Sequence, residues 1–382
     1  MTTTTTTTSS PDLHNAPEQK YEVTPLELFF DLVFVFAVSQ LSDTLQEHLS
    51  WRGMLETLVL LVAVFTVWFT TSWAATAIPV AQSRTRWMML AVMLLGLFMN
   101  AAVATSFSTS GWAFIVPMLL IQLGRTVWLI VNATEAAFRD HFFRNLLWLL
   151  ATTPLWIVGA TMSSEARLLW WGVAATIDLT GRWLTHPIPG RRLYSEHIGF
   201  DGGHMLERCR LFLLIALGET VFSTGTAIAD APIMWMTVIT GTAALAGTVA
   251  LWALGFGRVD RLTVRYVEET GDPIRATRLA GNALTVMVAG LITVAVANKE
   301  VITHPNERMS VAVALLLFGG PVLFLLAEGW YLWAVPHIWP RLRLIGSAAL
   351  VLVGFAAWLA PSSIALIVAA VTLVALAIVD QP

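Results

Sequence analysis

The amino-acid sequence predicts an all-α polytopic membrane protein of about twelve transmembrane helices. Three observations predict it. Apolar residues make up 57% of the 382 residues and charged residues only 12%, about half the charged share of an ordinary soluble domain. The apolar residues fall in runs close to 20 long, the length that crosses a hydrocarbon core of about 30 Å. Lysine and arginine favour alternate segments between those runs, as orientation in a bilayer requires.

Residues 1–25 begin MTTTTTTTSS and contain no basic segment followed by an apolar core. They do not read as a signal peptide, and their polar composition predicts a disordered, Thr-rich cytoplasmic tail. A first six-helix half, 26–185, has spans at 27–47, 54–78, 86–107, 112–133, 143–161 and 166–185. A cytoplasmic loop is expected at 186–205. The second half, 206–382, has spans at 206–228, 232–256, 276–298, 309–334, 343–359 and 362–379. The last two are divided only by APSS (360–363), which reads either as a turn or as a kink. Gly and Pro recur inside the spans, where membrane helices tolerate them.

Placing the N-terminus in the cytoplasm puts 14 of the 22 Lys and Arg on that side and 4 on the other. Both termini are then cytoplasmic. No connecting segment is long enough for a separate soluble domain, so function is expected within the membrane. The single cysteine, Cys209, excludes an intrachain disulfide. Phosphate-binding loops, dinucleotide fingerprints and G-x-S-x-G are absent from the sequence, which disfavours an ATP-driven pump or a familiar hydrolase. No basic soluble surface suggests nucleic acid, and no cofactor is expected. Trp51, Trp87, Trp112, Trp235 and Trp339 fall near span ends as an aromatic belt, whereas Trp68, Trp73 and Trp252 are expected to pack inside.

The informative residues are the polar ones inside spans, each costing about 2.5–3.5 kcal/mol at a helix centre on insertion scales. Glu27 and Asp31 are four apart, on one face of the first helix. Arg125 and Glu219 lie deep in helices 4 and 7, and Glu328 deep in helix 10. Asp178 and Arg182 are spaced as an i,i+4 ion pair that would lock helices together. Glu219 and Arg125 read either as an interhelical pair or as parts of a polar path, with Arg125 the counter-charge. Gly218 would let a backbone or ligand approach Glu219.

The stretch EHIGFDGGHMLER (196–208) offers His197, Asp201, His204 and Glu207 as weak metal candidates. H-x-x-E alone is not a metal signature. Loop residues capping helix 7, with Glu207 favoured by the helix dipole, are the simpler account. Glu27 also aligns with Glu207 when helices 1 and 7 are superposed. Two parallel six-helix repeats, or the generic likeness of apolar helices, would each produce that alignment.

Two segments carry a resemblance. TPLELFFDLVFVFAVSQLSD (24–43) and HMLERCRLFLLIALGETVFSTG (204–225) resemble the hallmark stretches of the bacterial low-temperature-requirement A (LtrA) family. AVANKEVITHP (295–305) and GGPVLFLLAEGWYLW (319–333) are further likenesses. Matched residue by residue, the resemblance points to Glu27, Asp31, His204, Glu207, Arg208, Gly218 and Glu219. The chain departs from it at Cys209 and Arg210, where a small or aromatic pair is usual. The resemblance implies a multi-pass protein of the bacterial inner membrane, linked to growth under stress, and names no substrate.

These readings give a transporter or channel-like permease, proton- or cation-coupled, more readily than an enzyme. Asp31 and Glu219 would line its path, while Glu207 and Arg208 would gate the cytoplasmic mouth. Its partners would be the bilayer, a small solute or ion, and in an oligomer a second copy. The alternatives are a lipid- or isoprenoid-modifying enzyme using His204 and Glu207, and a non-catalytic sensor or scaffold.

Overall fold

A computed structural model describes residues 23–78, 82–188, 200–232, 234–257, 266 and 272–380. Among them are twelve α-helices: α1 Pro25–Glu47, α2 Trp51–Ala77, α3 Ser83–Ala101, α4 Trp112–Asn132, α5 Ala136–Thr161, α6 Ser164–Trp183, α7 Gly202–Asp230, α8 Trp235–Gly255, α9 Pro273–Thr303, α10 Val311–Ala334, α11 Arg341–Ala356 and α12 Ser362–Asp380. Nine of these are long and apolar enough to cross a membrane. The other three are α3, diluted by Arg84 and Arg86, the charge-bearing α6, and α11, only 16 residues long. The chain is therefore a polytopic helical membrane protein. Most of the Thr-rich tail, the middle of the 186–205 loop with His197, and nearly all of 258–271 lie outside the described residues.

Local chemistry sets the helix starts. Thr24 and Glu27 form a reciprocal capping box: the Thr24 N–H and hydroxyl each donate to Glu27 Oε2 at 2.9 Å, satisfying groups a bare helix end would leave open. Asp201 Oδ1 accepts the His204 N–H at 2.9 Å and so begins α7 four residues before the expected boundary at 206. His204 is thereby a helical residue rather than a loop residue. Asp272 caps α9 in the same way, ahead of Pro273 at its first position. The APSS segment is a turn: Ser362 N–H donates to Glu307 O at 2.9 Å and separates α11 from α12.

In the first half α1 packs on α2 and α3, α3 on α4, α4 on α5, α5 on α6, and α6 back on α2. In the second half α7 packs on α8 and α9, α9 on α10, α10 on α11, α11 on α12, and α12 back on α8. The halves meet where α1 touches α7 and α9. α2 and α9 are the most enclosed of the apolar helices. α1, α7 and α9 run the same way, since Glu27 meets His204 at one end and Asp43 meets Lys299 at the other.

Trp51, Trp87, Trp112, Trp235 and Trp339 are exposed, as an aromatic belt requires, and Trp68 and Trp73 are buried. Trp252, expected inside, is 47% exposed and lies against Phe256. At the α9–α10 crossing two glycines let the backbones touch, as small residues do between membrane helices. A methyl group on Gly290 would sit 2.6 Å from Gly320 O, and one on Gly320 would sit 2.8 Å from Gly290 O. Gly290→Val is therefore expected to spread this pair and to destabilise the folded protein by about 1–3 kcal/mol. Thermal unfolding in detergent would register it as a lowered midpoint, and an unchanged midpoint would rule out the close crossing.

Candidate functional site

The two carboxylates of the first helix face two bases of the seventh. Glu27 and Asp31 lie one turn apart on α1, His204 and Arg208 one turn apart on α7, and the helices run parallel, so each pair presents one ladder to the other. Arg208 Nη2 donates to Asp31 Oδ1 at 2.7 Å, and its Nη1 lies 3.7 Å from Glu27 Oε1. Trp68 of α2 donates its indole N–H to the same Asp31 oxygen at 2.8 Å. His204 Nε2 lies 3.4 Å from Glu27 Oε1, and its Nδ1 is 3.2 Å from the Thr76 hydroxyl.

Three of these groups are shut away from solvent: Asp31 and Arg208 are 0% exposed and Glu27 is 1%. The walls are aromatic. Arg208 stands over the Phe30 ring at 5.2 Å, and Trp68, Phe65 and Phe212 form a tilted stack beside it. In so dry a setting two carboxylates against one guanidinium leave a net negative charge. A proton on His204, or on one carboxyl, balances it. Asp31 Oδ2 and the Arg208 Nε and Nη1 atoms make no hydrogen bond, so the network has room to rearrange.

Glu219 does not join this cluster. It lies eleven residues farther along α7, roughly 16 Å at 1.5 Å per residue, and is half-buried in a second polar layer. There Ser223 donates to it at 3.2 Å, Ser39 of α1 also bonds it, and the Asp43–Lys299 pair stands close by. Buried Phe34, Val38, Phe212 and Ala216 occupy the interval between the two layers. The shared path expected for Asp31 and Glu219 is thus two stations on one helix interface. Gly218 has open space where a neighbour was expected.

Three further expectations need correction. Arg125 is no counter-charge for Glu219. Its helix, α4, packs on α2, α3 and α5, and its Nη1 donates to the Thr71 hydroxyl at 2.7 Å and to Val67 O. Glu207 is turned about 100° around α7 from Arg208, and at 3.4 Å from Arg210 it is a half-exposed surface partner rather than a gate residue. Asp178 and Arg182 share a helix face without bonding each other. Asp178 accepts the Trp156 indole N–H at 2.9 Å, and Arg182 lies over Phe69 at 5.5 Å with no hydrogen bond from its guanidinium. His204 and Glu207 point to different partners, and among the described residues no three His, Cys, Asp or Glu side chains gather as a metal site.

Sequence reasoning missed Trp68 and Thr76, whose polar atoms turn inward from an otherwise apolar α2. It also missed the α10–α11–α12 triad, where Arg343 bonds Glu328 at 2.9 Å, Asp380 at 2.9 Å and Leu254 O at 3.0 Å. Arg343 and Asp380 sit at helix ends, where a charge passes for a solvated one, so only the depth of Glu328 signalled a buried partner.

Arg208→Gln should be severe, because it leaves two carboxylates buried without their cation. About 3–5 kcal/mol of destabilisation is expected. Adding Asp31→Asn should restore part of that loss in detergent unfolding, and failure to restore any would mean the two residues are not coupled.

A sequence model of the family described as "Bacterial low temperature requirement A protein (LtrA)" matches residues 22–378. The chain is also similar to the "Uncharacterized protein RA0937" of Rhizobium meliloti (strain 1021), 29% identical over 333 residues that cover 85% of this chain and 80% of that protein. No solved structure matches.

Proposed function

The chain belongs to the bacterial low temperature requirement A family, and from that premise we propose that it is a bacterial inner-membrane permease coupled to protons through the α1–α7 cluster. One observation carries the reading: Glu27 and Asp31 are buried against a single guanidinium, with His204 in contact with Glu27 and at the rim of the cluster. A scaffold needs only a balanced pair. The second-half triad already shows how tightly such a charge group closes when Arg343 is satisfied by two acids. Both groups set two carboxylates against one guanidinium, but the Asp380 side chain of the triad is 14% exposed whereas both α1–α7 carboxylates are enclosed, so that cluster carries an unrelieved negative charge unless it holds a proton, and His204 gives that proton a second resting place.

A proton on His204 pairs with Glu27 and leaves Arg208 to Asp31. Moving it to Glu27 weakens the hold of both bases on that carboxyl and loosens α7 from α1. The Glu219 layer, with Ser39 and Ser223, is the second station, and a solute-linked movement of the intervening apolar layer joins the two. The neighbour order of α1–α6 returning in α7–α12 supports two parallel six-helix repeats. With the 14-to-4 distribution of Lys and Arg, it supports cytoplasmic termini as well. A role in growth at low temperature rests on the family description alone. A lipid-modifying enzyme would need His204 and Glu207 to converge, and they do not.

Proteoliposomes carrying an internal pH indicator test the reading under an imposed potential or pH gradient. Glu27→Gln and His204→Gln are each expected to cut proton movement at least ten-fold while the unfolding midpoint stays near that of the parent. Equal proton movement in parent and both folded variants would sink it.

A further inference from the structure

On a flank of α2 turned away from the acid cluster lies a cavity of the reverse character. Trp68 faces Asp31, whereas Phe69 and Trp73, on the other side of the same helix, line a chamber walled by α4, α5, α6 and the start of α9. Arg125, Arg182 and Arg278 all border it, and among the described residues no Asp or Glu does. Arg125 is 3% exposed and Arg182 4%. Neither is bonded by an acid among the described residues: Arg125 Nε and Nη2, and all three nitrogens of Arg182, make no hydrogen bond, and Asp178, one turn before Arg182, acts on it only through space.

The acids nearby are already engaged. Asp140 lies 3.4 Å from Arg144, and Asp178 turns to Trp156. The ring face of Phe69 under Arg182 offers cation–π attraction but no oxygen acceptor. After α6 two consecutive non-glycine residues, Thr185 and His186, take φ of 59° and 51°, and the His186 N–H returns to Gly181 O at 2.7 Å. That strained turn places a buried imidazole and a hydroxyl on the chamber wall beside Asn145. Burial, together with His141, Arg144 and Arg182, holds the His186 imidazole well below its usual range. It is therefore a neutral hydrogen-bonding group, and the positive charge of the chamber is arginine's.

The second half provides the comparison within the same chain. The neighbour order α4–α5–α6 recurs as α10–α11–α12, and there the buried Arg343 is met by Glu328 and Asp380. In the first half the nearby acids of these helices, Asp140 and Asp178, engage Arg144 and Trp156 and leave Arg125 and Arg182 without a bonded carboxylate. Room for the centres of water-sized groups amounts to about 40 Å³, a few waters' worth at roughly 10–15 Å³ each. That bounds the occupant to something small.

We propose that this chamber is a binding site for a small oxygen-bearing anion, an inorganic oxoanion or short carboxylate, held by Arg125 and Arg182 in the role that Glu328 and Asp380 play toward Arg343. The same chemistry could be met by a free anion or by the phosphate of a lipid headgroup. The limited volume favours the free anion. Binding needs no gradient and no flux, so this site stands or falls separately from proton coupling.

The test uses the full chain in detergent at constant ionic strength. Phosphate or acetate replacing chloride should raise the unfolding midpoint saturably. Arg125→Met/Arg182→Met should weaken that response at least ten-fold, with Arg182→Lys keeping part of it. If the double variant does not fold, selenate added to the parent protein should give an anomalous peak between Arg125 and Arg182. Native mass spectrometry separates the sources: a retained phospholipid that is lost in the double variant assigns the site to a headgroup. Saturable stabilisation that survives in a folded double variant would overturn the proposal. So would the absence of anion stabilisation, selenate peak and retained lipid in the parent.

Discussion

Arg208 reaching from α7 to Asp31 on α1 is the contact on which the join between the halves depends. A bilayer supplies no water to a stranded charge, so each ionisable group inside must find its partner within the protein. The carboxylate at Asp31 takes both the guanidinium and the Trp68 indole, which ties three helices from two halves at one oxygen. With that contact and those of His204 with Glu27 and Ser39 with Glu219, α1 and α7 lie parallel. Every further meeting along them, from His204 with Glu27 to Ser39 with Glu219, is a matter of helical register. The aromatic residues around the pair exclude water and so strengthen the same bond.

Much of this was legible in the sequence, for a physical reason. Spans are set by bilayer thickness, so runs of apolar residues located all twelve helices, and the described ends differ mainly by a turn or two. Glu27, Asp31 and Arg208 stood out because charge in such runs is costly. What could not be read was who pairs with whom. Arg125 and Glu219 have opposite signs and similar depth, yet α4 and α7 do not touch, and depth along the membrane normal says nothing about position across it. Asp178 and Arg182 show a second limit: i,i+4 spacing brings two side chains within reach, but Trp156 and Phe69 on other helices competed for them. Trp68 and Thr76 were invisible for a third reason, since an indole N–H or a hydroxyl in an apolar helix reads as packing until its acceptor is known.

Arg343, Arg208 and the pair Arg125 and Arg182 are buried in three different ways, and the differences indicate where change is permitted. Arg343 is enclosed by two carboxylates and a backbone carbonyl, leaving little to gain from rearrangement. Arg208 has acids enough, but shares them with a histidine and leaves N–H donors on Nε and Nη1 unused, so more than one arrangement of the same groups lies within reach. Arg125 and Arg182 have unused donors and no bonded acid among the described residues.

α2 stands between the acid cluster and the arginine chamber. The helix presents Trp68 to the acid cluster on one side and Phe69 and Trp73 to the arginine chamber on the other, and it is among the most enclosed helices of the bundle. Filling the chamber would draw Arg182 from the Phe69 ring. Shifting a proton in the cluster would change the demand on the Trp68 indole. Both events act on adjacent residues of one rigid rod, so an anion on one face and a proton on the other would each bias the position of α2. Opposite charges moving on the two faces of a single helix are the physical basis on which an anion and a proton would favour crossing together.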